Sequence, residues 1–143
     1  MRWKFGTMHD MAIKVLSVIP CQGMTEIPSE NRITINGAGF HVGVENFPGK
    51  TEPIGLVFVL FGNAGKHLLR VVLRCQEAPH KGRSVEEFKV PFENTNEETP
   101  VVKGVRTESL TVRMLGLHSL DVYDGEQLLL STPIKFIPMP EGL

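Results

Sequence analysis

The chain has 143 residues, of which 41% are hydrophobic and 22% are charged, with 15 Lys and Arg against 16 Asp and Glu. This length is typical of one domain, and the composition is that of an ordinary soluble globular protein, which argues against a disordered, fibrous or disulfide-dense chain. The formal charge of −1 at pH 7 argues against a dedicated nucleic-acid binder, because such proteins usually carry a basic excess on one face.

The start of the chain has neither the apolar core of a secretory signal nor a membrane span. Charged and polar residues interrupt residues 1–11, and the longest apolar run, residues 54–61, is far shorter than the ~18 residues that a membrane helix needs. We therefore expect a cytoplasmic protein with no membrane partner, in which residues 1–11 are a weakly packed extension and residues 12–143 form one domain. Cys21 and Cys75 are expected to be buried free thiols, because a reducing compartment disfavours a disulfide.

From residue 12 onward, short apolar stretches alternate with turn residues at roughly the 8–12-residue spacing of an antiparallel sandwich or barrel. Residues 12–19 predict a strand that ends at Pro20, and residues 21–31 predict a loop. Residues 32–36 and 40–44 each alternate polar and apolar side chains, with glycines between them. We predict that these two strands pair with each other as a hairpin.

The segment 54–61 is apolar on both sides of the pleat, which indicates a deeply buried strand or an interface. Residues 62–65 predict a hairpin turn into the alternating segment 66–75, and further alternating sets follow at residues 88–92 and 110–114. Asp124-Gly125 predicts a two-residue hairpin turn, because both central residues of that turn type need a positive φ. With seven to nine strands expected, we predict an all-β, single-domain, antiparallel two-sheet β-sandwich of immunoglobulin-like type, with an open β-barrel as the alternative.

Three stretches carry a resemblance to known proteins. They are residues 12–21, residues 32–40 and the Tyr123-Asp124-Gly125-Glu126 turn followed by a proline-containing last strand. Together they resemble a family of small uncharacterised bacterial β-sandwich proteins, and the resemblance covers most of the chain from residue 12. These motifs are turns and core positions, and the family has no assigned activity. The resemblance therefore implies a fold and no catalytic or binding residue.

The residues that could carry chemistry form no recognisable constellation. Gly62-Asn63-Ala64-Gly65-Lys66 has neither the spacing nor the following helix of a phosphate-binding loop. No two histidines stand at the spacing by which one strand or helix binds a metal; they are His9, His41, His67, His80 and His118. No serine lies in a nucleophile elbow. We therefore expect no enzyme activity, no metal and no cofactor.

One apolar surface does stand out in the sequence. If Leu56, Phe58 and Leu60 fill the core, the alternate residues of that strand face outward, and two residues of the following strand are expected beside them; the candidate interface is Val57, Val59, Phe61, Leu68 and Val72. The alternative is that a loop, or the N-terminal segment with Trp3 and Phe5, covers this patch.

The apolar patch leads us to predict a noncatalytic protein-interaction module that binds another protein, and also itself as a homo-oligomer, through a sheet face or an edge strand. A small-ligand or carbohydrate binder is the alternative, using the loops 79–84 and 94–103 at one end of the sandwich. Those loops contain no aromatic side chain, which weakens that alternative. An enzyme whose site is assembled from residues distant in sequence comes third.

Overall fold

The computed structural model describes residues 13–44, 49–94 and 99–138, so the predicted extension 1–11 lies outside the described residues. Within this part, eleven strands and one short 3₁₀ turn (Pro28–Glu30) account for the regular structure. The strands are β1 Ile13–Ile27, β2 Arg32–Ala38, β3 His41–Val44, β4 Gly49–Lys50, β5 Gly55–Gly62, β6 Gly65–Cys75, β7 Ser84–Asn94, β8 Val101–Arg106, β9 Thr111–Val112, β10 Gly116–Asp124 and β11 Gln127–Pro138. No helix in the described ranges has the length and apolar character to span a bilayer.

The strands form two large sheets. Sheet A has the order β2-β1-β5-β8, sheet B has the order β3-β11-β10-β6-β7, and β4 pairs only with β9. All pairings are antiparallel except β3 with β11. The order β1-β5-β8 in one sheet and β6-β10-β11 in the other is the arrangement of the A, B, E and C, F, G strands of immunoglobulin domains. The predicted two-sheet, immunoglobulin-like β-sandwich is therefore confirmed.

The hydrophobic core lies between the inner faces of the two sheets. Leu56, Phe58 and Leu60 of β5 are fully buried there, as the alternation predicts. From the opposite sheet, β6 contributes Leu69, Val71 and Leu73, which are equally inaccessible. Each buried side chain of this size contributes about 1.5–3 kcal/mol relative to exposure, so the alternating pattern of these two strands specifies much of the core.

Two of the predicted hairpins are wrong. β2 belongs to sheet A and β3 to sheet B, and in the same way β5 and β6 lie in different sheets. The glycine-rich connections therefore cross from one sheet to the other. Gly37 and Gly65 have φ values of +67° and +122°, and glycine adopts such values readily whether the chain forms a hairpin or a crossover. Turn composition alone does not separate these two outcomes.

The predicted end of the first strand at Pro20 is also wrong, because β1 continues to Ile27. The Pro20 carbonyl accepts a hydrogen bond from the Gly39 N–H at 3.0 Å, so the missing N–H of Pro20 faces the same side. Strand β2 starts its pairing with β1 one residue later, at Cys21 opposite Ala38. The ladder therefore needs no donor at Pro20, and the strand tolerates the proline.

The hairpin between β10 and β11 forms as predicted, but one residue further along the chain. Asp124 pairs with Gln127, so the two central residues are Gly125 and Glu126. Of these, only Gly125 has a positive φ, at +58°. A glycine at the first central position is the preference of type II′ turns, whereas the prediction had placed Asp124 and Gly125 at the centre.

Candidate functional site

The five residues of the predicted interface do not form one surface. Val57, Val59 and Phe61 lie on the outer side of β5 in sheet A, whereas Leu68 and Val72 lie on the outer side of β6 in sheet B. Only Leu68 is exposed, at 53%, while Val57 and Val72 are 2% and 1% exposed and the other two are half-buried. The prediction of one contiguous patch is wrong, because β5 and β6 are not neighbours.

The outer face of sheet A is covered by a hairpin of its own chain. Beyond Cys21, β1 pairs only with β2, and residues 23–38 form a two-stranded ribbon that we call the covering hairpin. A Cβ placed on Gly104 of β8 would lie 2.7 Å from the Met24 Sδ and 2.5 Å from the Glu26 Oε1. The covering hairpin therefore folds back over β5 and β8, and the glycine makes room for its side chains.

Asn31, at the tip of the covering hairpin, fastens the hairpin to β8. The Asn31 side chain donates to the Pro100 carbonyl at 2.7 Å and accepts from the Val102 N–H at 3.0 Å. Its φ of +52° is a left-handed conformation that asparagine tolerates better than most residues. The patch around Val57 is thus covered by a segment of the domain itself, and Trp3 and Phe5, the other candidates for this role, lie outside the described residues.

Cys21 is buried at the base of the covering hairpin. Its side chain is 4% exposed and forms no disulfide, and Cys75 is likewise buried and free, as predicted. Burial raises the pKa of the Cys21 thiol above its usual 9.0, and the positive charge of Arg106 partly opposes this shift. Because a buried thiol is a poor nucleophile, the reactivity of Cys21 reports on whether the covering hairpin is in place.

The outer face of sheet B is covered by its own charged side chains. Asp121, which is buried, accepts a hydrogen bond from the Ser131 hydroxyl at 2.7 Å and pairs with the Arg74 guanidinium at 3.2 Å. Arg74 also donates to the Tyr123 hydroxyl, and this hydrogen bond is the main reason that the pKa of Arg74 is raised above its usual value. The Arg74 guanidinium therefore stays charged and joins Asp121 and Tyr123 on this face.

A second arginine completes this polar cluster. The Arg70 guanidinium carbon lies 4.5 Å from the centre of the Tyr123 ring, and Arg70 pairs with Glu87 at 3.0 Å. Val72 lies between the two arginines on β6, with Asp121 and Glu87 as its cross-strand neighbours. Long side chains of this kind exclude water from an apolar neighbour, and they contribute to the burial of Val72.

Most sheet edges in the described residues carry a feature that blocks the addition of another strand. Edge strand β7 contains Pro91 and the exposed Lys89, β3 has only four residues, and the first part of β11 carries a bulge and Pro133. The edge of β8 is occupied by Asn31, which already binds the Val102 N–H. Prolines, charges, bulges, short strands and covering groups are the usual protections of sheet edges.

Edge strand β2 lacks these features over most of its length. It pairs with β1 on one side, and in the described part of the chain no strand pairs with its other side. Its residues Arg32–Ala38 are all exposed or half-buried, and Arg32, at the first position, is its one charged residue. The neighbouring half of β1 differs, because Glu26 turns its carboxylate towards Gly104. The free edge of β2 is therefore the best candidate functional site.

A cleft of about 700 Å³ adjoins the end of β2. Gly37 and Ala38 form one wall, and Phe40, His41 and Pro53 form others. Phe40 is 48% exposed although it is a large aromatic residue. The cleft thus offers an apolar contact in line with the free edge of β2.

The loops proposed for small-ligand binding do not lie together. Ser84 pairs with Arg74 and Asn94 pairs with Gly65, so loops 79–84 and 94–103 leave β7 at opposite ends. The prediction that they share one end of the sandwich is wrong, because β7 is long and separates them. A cleft of about 720 Å³ beside the first loop is lined by charges of both signs, including Arg83, Arg113 and Glu86.

The histidines are dispersed in the structure as well. His118 is buried on the inner face of sheet B beside Cys75, with its Nδ1 3.0 Å from the Gly116 carbonyl oxygen and its ring edge-on to Phe136. His41 is exposed on β3, two strands away from β10 in the same sheet. Across ranges 13–44, 49–94 and 99–138, no three His, Cys, Asp or Glu side chains are grouped as metal ligands would be.

Sequence reasoning missed the free edge of β2, the exposed Phe40 and the fastening role of Asn31. A signal for Asn31 was present, because asparagine after Pro28-Ser29-Glu30 favours a left-handed residue that ends a turn. The strand β2 itself was predicted from its alternation. Its position at an edge depends on pairing between distant segments, which the local pattern does not contain.

No family model matches the chain, and no curated protein matches it. Among solved structures, it is similar to an immunoglobulin-like protein of Pseudomonas aeruginosa, with 18% identity and a TM-score of 0.44. The match covers 87% of this chain and 96% of the other.

Proposed function

We propose that this protein is a noncatalytic protein-interaction module that binds an extended protein segment along the free edge of β2. In this mode the incoming strand extends sheet A, main-chain hydrogen bonds supply the affinity, and neighbouring pockets select side chains. The supporting observation is that, in the part of the chain that the structure describes, β2 pairs with no strand on its outer side and contains no proline, bulge or charged residue over Ile33–Ala38.

The surroundings of β2 support a protein ligand. The two faces of the strand differ, since Thr34 and Asn36 are exposed while Ile33 and Ile35 are half-buried. An added strand with the same alternation would place apolar side chains beside these isoleucines and polar ones in solvent. The cleft at Phe40 would then receive a side chain of the bound segment.

A peptide titration tests this proposal. The probe is a synthetic peptide of alternating threonine and isoleucine with a lysine at each end, added to isotope-labelled protein and followed by amide chemical shifts. We expect the shifts to change along β2 and at Phe40. As a control, the same peptide N-methylated at alternate residues on its pairing edge should produce no change, because it lacks the main-chain donors.

The protein offers an internal control for the same experiment. Strand β7 is an edge of similar exposure, but Lys89 and Pro91 block it. Shift changes along β7 that equal those along β2 would show nonspecific contact and contradict the proposal. An absence of change along β2 at saturating peptide would contradict it as well.

A further inference from the structure

The side chains of β2 match those of a second copy of the same strand in one antiparallel register. When Thr34 of one copy lies opposite Thr34 of the other, each Ile33 meets an Ile35 of the partner copy. The half-buried isoleucines then pair with each other twice, and Arg32 meets Asn36. Shifting the register by one residue would place isoleucine opposite threonine, which mixes apolar and polar partners on one face.

The charges at this edge favour the same arrangement. The charged residues between positions 28 and 38 are Glu30 and Arg32, which form a loose, exposed ion pair at 3.9 Å within one copy. Parallel pairing of two copies in register would set each of these charges opposite its own like. In the antiparallel register, Arg32 meets Asn36, and the Glu30 residues of the two copies lie at opposite ends of the paired strands, so no like charges face each other.

The exposed Phe40 also gains a contact in this register. Asn36 of one copy lies opposite Arg32, the first residue of β2 in the partner copy. The Pro28–Glu30 turn, which comes just before Arg32, therefore lies close to the cleft lined by Ala38 and Phe40 of the other copy.

We propose that the chain forms a two-fold dimer in which the β2 strands of two copies pair antiparallel, with Thr34 opposite Thr34. This inference rests on the proposed function, because it names the segment that binds the free edge. The covering hairpins of the two copies then form one four-stranded antiparallel sheet, in the order β1-β2 followed by its mirror sequence. Such a contact is isologous and closes after two copies.

Cysteine cross-linking of the full chain tests the register. Directly opposed Cα atoms in an antiparallel pair are about 4.5–5.5 Å apart, within the range of a disulfide. With copper phenanthroline and oxygen as the oxidant, Thr34→Cys should therefore form a covalent dimer. In the matched control Asn36→Cys, the two cysteines are four residue steps apart, about 14 Å, and should not cross-link. The native Cys21 and Cys75 are buried and common to both variants.

Cross-linking between two different cysteine variants provides a positive control for the register. Arg32→Cys chains mixed with Asn36→Cys chains should cross-link to each other, because these positions are opposed in the proposed register.

In sedimentation velocity, Thr34→Lys should raise the dimer dissociation constant at least about tenfold, because two ammonium groups would face each other at the axis. Phe40→Ser should weaken the dimer several-fold, whereas Leu128→Ser, equally exposed but on sheet B, should not.

The outcomes separate the two proposals. Cross-linking of Asn36→Cys as fast as Thr34→Cys, or no cross-linking of Thr34→Cys, overturns the dimer. If the peptide titration still shifts β2 in that case, the edge binds a different chain and the proposed function stands. If neither cross-linking nor peptide shifts involve β2, both proposals are overturned.

Discussion

The outer faces of the two sheets each bury a valine, and they do so in different ways. Val57 of sheet A lies under the covering hairpin, which folds back over β5 and β8 and places Met24 and Glu26 against Gly104, the cross-strand partner of Val57. Val72 of sheet B lies among arginine, aspartate and glutamate side chains of its own sheet. An apolar residue on the outer side of a strand therefore does not by itself indicate an interface, because either a folded-back segment or long polar side chains can exclude water from it.

The largest expected effect comes from placing a charge at each valine. Val57→Glu would bury a carboxylate opposite Gly104, where the Glu26 carboxylate already lies, and this costs about 3 kcal/mol or more. Val72→Glu should cost clearly less, because Arg70 and Arg74 flank Val72 on the same face of β6. Urea unfolding of both variants measures the difference, and equal losses would show that the two faces do not differ as described.

The parts of the fold that could be predicted from the sequence are those that depend on local patterns. The alternation of residues 56–60 and 69–73 assigns the core side chains correctly, because burial against the opposite sheet dominates their energetics. The turn at Gly125 is local and was predicted within one residue. The crossovers after β2 and β5 were missed, because pairing of β1 with β5 and of β6 with β10 joins segments far apart in the sequence.

Prediction of the candidate site requires, even more than prediction of the fold, the contacts between residues that are distant in the sequence. Strand β2 was recognised from its own residues, but its free edge results from the position of β8, the Asn31 contacts and the fold of the hairpin. The same holds for Val57 and Leu68, which adjoin in the sequence pattern and lie on different sheets. The strands of this protein can be predicted from a single sequence, but the sequence says little about which sheet edges remain unpaired.

A smaller effect is expected from the two carboxylates on sheet B. Asp121→Asn removes the charge of a buried carboxylate that pairs with the half-buried Arg74, and we expect a loss of about 1.5–3 kcal/mol. Glu87→Gln is the matched control, because the Arg70–Glu87 pair is more exposed and such pairs contribute about 0.2–1 kcal/mol. Chemical denaturation of both variants checks the ranking, and a larger loss for Glu87→Gln would contradict it.

The smallest effect should be local and confined to the covering hairpin. Asn31→Gly removes the side-chain hydrogen bonds to Pro100 and Val102 but keeps a residue that accepts a φ of +52°. We expect about 1 kcal/mol of local destabilisation, with little change in global unfolding. The sensitive measurement is the rate at which a thiol reagent modifies Cys21, which should rise about fivefold. Asn36→Gly, on the exposed side of the same hairpin, should leave the rate nearly unchanged.

The pH dependence of Cys21 gives this last comparison a second readout. Because burial raises the pKa of the folded thiol above 9.0, the unfolded chain loses this proton first as the pH rises. The contribution of the protonated Cys21 thiol to the free energy of unfolding is therefore fully present below pH 9. It is lost as the pH rises from this value through the raised pKa of the folded thiol. In Asn31→Gly, where the hairpin opens more often, modification of Cys21 should begin at lower pH than in the unmodified protein. An identical pH profile in both would mean that Asn31 does not hold the hairpin over Cys21.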